Sequence, residues 1–133
     1  MDMPLPHDGV NARLGVSPIH GIGVFAILPI DAGAHLFGPE TGEIQPIHIT
    51  IVDRLPAPAR RLYTDFCVPI EGSYFAPASF NQLTIAWYLN HDESPNVACT
   101  REHGFTALRA IEPGEELTLD YRTFHPGPLP WQI

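Results

Sequence analysis

Three short clusters in this chain carry side chains able to do chemistry. Asn90 and His91 stand side by side directly after the apolar run Trp87-Tyr88-Leu89. There an amide and an imidazole offer hydrogen-bond donors and acceptors at a half-buried edge. Near the start, His20-Gly21-Ile22-Gly23 sets two glycines in a turn, and glycine lets backbone approach a ligand closely. Near the end, Glu116-Leu117-Thr118-Leu119-Asp120-Tyr121 alternates polar and apolar residues and finishes on a tyrosine. Each cluster alone has a plainer reading. Asn90 reads as a loop start in an Asx turn, the glycines as a tight turn, and the final run as an amphipathic strand.

Other chemistries are set aside by context. Gly21-Ile22-Gly23-Val24-Phe25-Ala26 fits the spacing of a dinucleotide-binding fingerprint, but that device needs a helix after the glycines. Here a strand-like run follows and Pro29 closes it. The seven histidines show no paired ligand spacing, so no metal site is predicted. No Gly-x-Ser-x-Gly elbow is present.

The elements that must position these clusters are short. Pro 15 and Gly 11 are scattered among 133 residues, which predicts many tight turns and no long helix. Strands are predicted at 14–17 and 24–28 around the glycine turn, with a further short one at His35-Leu36-Phe37. Residues 47–66 are the best helical stretch, with Thr50 as a cap and an interruption at Pro56 and Pro58. A strand at 74–76 and one helical turn at 84–89 follow. Val97–Thr100 and 105–111 read as a hairpin around Arg101-Glu102-His103-Gly104, and Glu112-Pro113-Gly114-Glu115 turns into the last strand. This is a mainly β chain with small helical inserts.

In order, the motifs H-G-I-G-V-F-A, N-H-D-E-S-P-N-V and G-E-E-L-T-L-D-Y resemble those of the SET-domain protein lysine methyltransferases, across roughly residues 12–122. The resemblance implies a fold of several small curved β-sheets with a knot-like threading of the C-terminal segment. It implies S-adenosyl-L-methionine as cofactor, with His20, Gly21, Ile22 and Gly23 at its methionine end and Asn90 and His91 at its adenine end. Tyr63 corresponds to a tyrosine that contacts the cofactor in the family, and Tyr121 to the catalytic tyrosine. The substrate is then a lysine-containing, basic protein or peptide, and no metal is needed for the transfer.

The chain also departs from the family pattern. Asp92 and Ser94 stand where Ser and Cys are common, and the zinc-binding cysteines after the domain are missing. Leu36 and Leu119 occupy positions where family tyrosines bond the amine or a nearby water. Leucine does neither, which predicts products beyond monomethyl-lysine. Residues 1–11 read as an arm. In the tail, 123–133, Phe124 and Trp131 lie among prolines, and the tail is expected to dock beside Tyr121 as an apolar wall of the substrate channel, within one chain or across a homodimer. A SET-like module that binds without catalysis is the alternative, and an unrelated metabolite-binding β-barrel is a second.

Composition bounds the partners. A net charge of −8 with seven Lys and Arg excludes a nucleic-acid surface. The acidity favours a cationic partner or simply serves solubility. Two cysteines make no disulfide framework, and neither a leader nor a membrane span is apparent. The expectation is a soluble intracellular protein, cytoplasmic if bacterial.

Overall fold

The computed structural model describes Met3 and residues 5–37, 44–100 and 104–122. Two strands, β1 (Ala12–Val16) and β2 (Ile22–Ala26), form an antiparallel hairpin whose register runs from Ala12↔Ala26 to Val16↔Ile22. Both begin two residues earlier than the sequence pattern suggests. Gly15 and Gly23 face each other inside this ladder and not in the turn. Close packing demands them: a Cβ on Gly15 would sit 2.9 Å from the Phe25 ring, and one on Gly23 would collide with the Glu116 carboxylate. The turn itself rests on Gly21, which is left-handed at φ +47° and closes the loop by accepting from the Ser17 N–H at 2.8 Å.

Among the described residues, six further strands and two α-helices come between β2 and the last strand. In the second sheet β3 (Ile44–His48) and β4 (Pro69–Ile70) both pair antiparallel with β5 (Ser73–Pro77). The predicted helical stretch therefore starts late, because Ile47 and His48 belong to β3. It divides into α1 (Ile49–Asp53) and α2 (Ala57–Phe66). His48, not Thr50, caps α1: its ring Nδ1 accepts from the Thr50 N–H at 3.2 Å. Pro56 separates the helices, whereas Pro58 lies in the first turn of α2, where no N–H is required. The expected helical turn appears as a 3₁₀ turn at Ile85–Tyr88.

β6 (Asn90–His91) leads through a tight turn to the hairpin of β7 (Val97–Thr100) and β8 (Gly104–Ala107). Beyond Ala107 the predicted strand gives way to a single bridge from Ile111 to Ile30, and His35 makes a similar bridge to Thr106. β9 (Glu116–Leu119) then inserts between β2, antiparallel, and β6, parallel, giving the order β1-β2-β9-β6. Its two edges are paired, and both of its faces are covered as well. Leu117 and Leu119 are buried, and so are Thr118 and Asp120, which alternation alone assigned to solvent.

Two apolar clusters hold these layers together. The larger is centred on Val24, Ile111 and Leu117, all fully buried. The smaller packs Val52, Cys67, Tyr74 and Ala76 beneath α1 and α2. Burying side chains of this size stabilises the fold by roughly 1.5–3 kcal/mol each. The architecture is mainly strand, in several small sheets with few helices, as expected. The tail 123–133, Phe124 and Trp131 with it, and the turn residues 101–103 lie outside the described residues.

Candidate active site

A half-buried carboxylate ties the three sequence clusters together. Glu116, the first residue of β9, accepts from the Ser17 hydroxyl at 2.8 Å and from the Asn90 Nδ2 at 2.9 Å. The same amide nitrogen donates to the carbonyls of His20 at 3.0 Å and Ile22 at 3.3 Å. Asn90 is thus a strut as well as a wall, holding the glycine hairpin against β9. It makes no Asx turn; that turn belongs to Asp92, whose Oδ1 accepts from the Ser94 N–H at 2.8 Å. The reason is burial: Asn90 pairs in β6 and points inward, while Asp92 is the first residue past the strand.

Asn96 performs a second fixing. Its amide nitrogen donates to the Glu116 carbonyl and its Oδ1 accepts from the Thr118 N–H, both at 2.8 Å. One side chain so occupies both backbone groups of β9 that face it. The sheet then carries Tyr121 to its place one residue past Asp120. The Tyr121 N–H donates to His91 Nδ1 at 3.0 Å, which leaves Nε2 of that imidazole as the protonated nitrogen. Below the ring, His91 Nδ1 lies 3.8 Å from the Asp120 carboxylate. Arg122 grips Asp120 in a fork, Nε at 3.0 Å and Nη2 at 2.9 Å, and holds its carboxyl down at about 2.

These pieces surround a cleft of about 740 Å³. One wall is the hairpin turn with His20, Gly21 and Ile22, and the floor is Asn90, His91 and Tyr121. The opposite wall is α2, which presents Arg61, Thr64 and Asp65, and the 3₁₀ turn adds the aromatic faces of Trp87 and Tyr88. Beside it runs a second cavity, about 160 Å³, lined by Phe75, Cys99, Phe105, Leu119 and Thr84 among others. Phe66, Trp87, Leu89 and Tyr121 line both. Tyr121 stands at the junction with its hydroxyl donating to the Leu89 carbonyl, and burial pushes its phenol above the ordinary range. Desolvation raises the Cys99 thiol on the channel wall to about 11.

The structure gathers His20, Gly21, Ile22, Asn90, His91 and Tyr121 around one cleft, and Leu119 in the adjoining channel. It does not bring Tyr63 there. That ring stacks edge-on to Phe80 at 5.1 Å and tilts against Tyr74 at 6.0 Å, inside the smaller core. Leu36 is likewise a core residue of the larger cluster, not part of the channel lining. Gly23 faces Glu116 and serves the strut. Sequence reasoning missed Glu116, Asn96, Arg61 and Asp65. The three-and-four spacing of Arg61, Thr64 and Asp65, one helix face, was the available signal for two of them.

The SET domain family matches residues 21–122, most of the chain. No curated protein matches it in sequence. Among solved structures, the Chaetomium thermophilum Polycomb Repressive Complex 2 superposes with a TM-score of 0.61 at 26% identity, over 85% of this chain and 15% of that one. A humanized mutant of the same complex bound to an inhibitor gives 0.59 at 25%, over 88% and 16%. This chain therefore spans only a small part of those proteins. A candidate histone methyltransferase of Plasmodium falciparum shares the fold, with a TM-score of 0.51 at 19% identity over 84% of this chain and 93% of that one. Motif order, sheet topology and these matches agree, and the chain belongs to the SET-domain family.

Proposed function

We propose that this protein transfers methyl groups from S-adenosyl-L-methionine to the side-chain amine of lysine in a basic protein substrate. The observation that carries the reading is the position of Tyr121, where a polar cleft and an apolar channel meet. The cleft fits the cofactor by donor set. Arg61 would pair with a carboxylate, Asp65 with an ammonium group or ribose hydroxyls, and Trp87 and Tyr88 offer aromatic faces to a purine. His20 to Ile22 would hold the methionine end, and Asn90 with His91 the adenine end. Bound there, S-adenosyl-L-methionine supplies an activated methyl group on a sulfonium.

The chain's own residues then have two tasks. The first is to deliver the amine unprotonated, because a lysine in water has a pKa of about 10.4. The channel does this by burial: its walls of Phe75, Phe105 and Leu119 disfavour the ammonium form. The second is alignment. Tyr121 is fixed at its backbone by His91 and at its hydroxyl by Leu89, so its ring is a rigid lip between the two cavities. Leu119 on the channel wall offers no hydrogen bond to the amine, which leaves room for products beyond monomethyl-lysine. The protein's net charge of −8 suits a cationic substrate. Among the described residues no helix is long and apolar enough to cross a membrane.

A binding-only module is the second reading, favoured by Asp92 and Ser94 in the turn after His91, where the family pattern differs. Methyl transfer to mixed basic proteins, with Tyr121→Phe as control, separates the two. We expect Tyr121→Phe to fold, to bind S-adenosylhomocysteine as the wild type does, and to lose about a hundredfold in turnover. Turnover within threefold of wild type would remove Tyr121 from the mechanism. No turnover by the wild type despite cofactor binding would favour the binding module.

A further inference from the structure

Beside Tyr121 lies a ring nitrogen with two neighbours that make opposite demands on it. His91 Nδ1 accepts from the Tyr121 N–H at 3.0 Å, and the same atom stands 3.8 Å from the Asp120 carboxylate. The first contact requires a bare lone pair on Nδ1, so the ring is neutral with its proton on Nε2. A hydrogen bond to Asp120 would require a proton on Nδ1, because a carboxylate only accepts. The two bonds exclude each other.

The surroundings let the ring change state. Its side chain is 37% exposed on the floor of the cleft, so a proton reaches it from water. The Arg122 fork holds the Asp120 carboxyl well below the ordinary range, so it stays charged in mild acid. Burial pushes the Tyr121 phenol up, and it stays neutral there. Asp92 follows His91 in the chain, and Glu93 pairs with Arg122 at 3.5 Å. Elsewhere around the cleft stand His20 on the hairpin and Arg61 and Asp65 on α2. Imidazole is the side chain whose charge ordinarily changes between about pH 5 and 8.

We propose that His91 is a positioning residue for methyl transfer that works only while its ring is neutral: it fixes the backbone of Tyr121, and protonation turns Nδ1 over to Asp120 and releases Tyr121. This deepens the methyl-transfer reading and rests on it. The added proton comes from solvent and stays on Nδ1, giving an imidazolium whose two nitrogens both donate. At 3.0 Å a new N–H would face the Tyr121 N–H, donor against donor, and that bond is lost. Tyr121 then keeps its hydroxyl contact to Leu89 but has no anchor at its N–H. A transfer that depends on alignment slows when the aligning group gains freedom.

The bond is read directly by NMR on the full, isotope-labelled chain. An N–H···N hydrogen bond transmits a scalar coupling between its two nitrogens, here Tyr121 N and His91 Nδ1. The coupling should be present at about pH 8 and lost at about pH 5.5. His91→Asn places an amide oxygen near the position of Nδ1, an acceptor that does not titrate. Methyl transfer to mixed basic proteins slows in acid in any case, because the substrate lysine gains protons, so the two proteins are compared as a ratio. Over that range wild-type turnover should fall about tenfold more than that of His91→Asn, whatever rate the variant starts from. A coupling that persists in acid overturns the assignment, and this measurement needs no variant to fold. Parallel pH profiles of wild type and His91→Asn overturn it as well. No transfer at any pH by a chain that shows the coupling overturns the methyl-transfer reading instead, and the positioning role falls with it.

Discussion

Where the cleft is walled by Arg61, Asp65 and His20, the channel next to it is walled by Phe75, Phe105, Leu119 and Cys99. The two share Phe66, Trp87, Leu89 and Tyr121, so one set of side chains is wet on one side and dry on the other. The means of support differ as well. Hydrogen bonds around Glu116 hold the cleft wall, whereas the channel wall is mostly apolar side chains packed together, with the Tyr121 hydroxyl on the Leu89 carbonyl at its lip. The difference teaches how a small domain can present charge and remove it within a few ångströms. In the proposed reaction a cationic sulfonium and a neutral amine need opposite solvents, and the two cavities would supply both.

The comparison can be broken most forcefully at Glu116. Glu116→Ala removes the acceptor of the Ser17 hydroxyl and one of the three acceptors of the Asn90 amide, so we expect a loss of about 2–3 kcal/mol in urea denaturation. Affinity for S-adenosylhomocysteine should fall with it, while the channel stays dry. An unaltered urea midpoint would mean that the strut does not hold the cleft.

Cys99 reports on the dry side. Its thiol at about 11, against 9.0 for an ordinary cysteine, leaves about a hundredfold less thiolate at neutral pH. Iodoacetamide should therefore label native Cys99 at least a hundredfold more slowly than the urea-unfolded chain, in wild type and in any folded Glu116→Ala. Rapid labelling in the native protein would show a wet channel and dissolve the contrast.

A smaller effect is expected at Gly21. Its left-handed φ of +47° costs an L-residue about 1–2 kcal/mol, although a side chain there would meet nothing within 4 Å. Gly21→Ala should lower stability by about that amount and reach the channel not at all, as Cys99 labelling would show.

The smallest concerns acid. Arg122 depresses the Asp120 carboxyl to about 2 in the folded chain, below its ordinary value near 3.8. Its contribution is complete above about pH 4 and is lost as pH falls toward 2. Asp120→Asn should flatten that part of the stability profile, measured by thermal melts, by lowering stability above about pH 4 toward the level that wild type reaches in acid. A variant as acid-sensitive as wild type would show that the pair contributes nothing.

Much of this site was legible because its polar residues interrupt strong patterns. Asn90-His91 breaks an apolar run, Gly21 marks a turn, and Tyr121 ends a strand. What could not be read depends on which face of an element looks inward. Alternation describes a strand with one wet side, but both faces of β9 are covered, so Thr118 is buried and the half-buried Glu116 is held by Ser17 and Asn90. Helical phase decided α2: Arg61, Thr64 and Asp65 share the face toward the cleft, and Tyr63 turns toward Tyr74 and Phe80. Leu36 was assigned by its place in a motif, while packing put it in the core.

The sheet order β1-β2-β9-β6 has a consequence for synthesis. β2 can find β1 as soon as both have left the ribosome, but its other edge must wait for residues 116–119, more than ninety positions later. Pairings so distant in sequence make folding slow, because the chain closes a long loop before any contact rewards it. Until then the edge of β2 is open, and a nascent chain halted before Glu116 has neither the strut nor the lip of the site. Chaperone dependence should therefore be concentrated before residues 116–119 emerge, when β1 and β2 have long been made and the candidate site is still unformed.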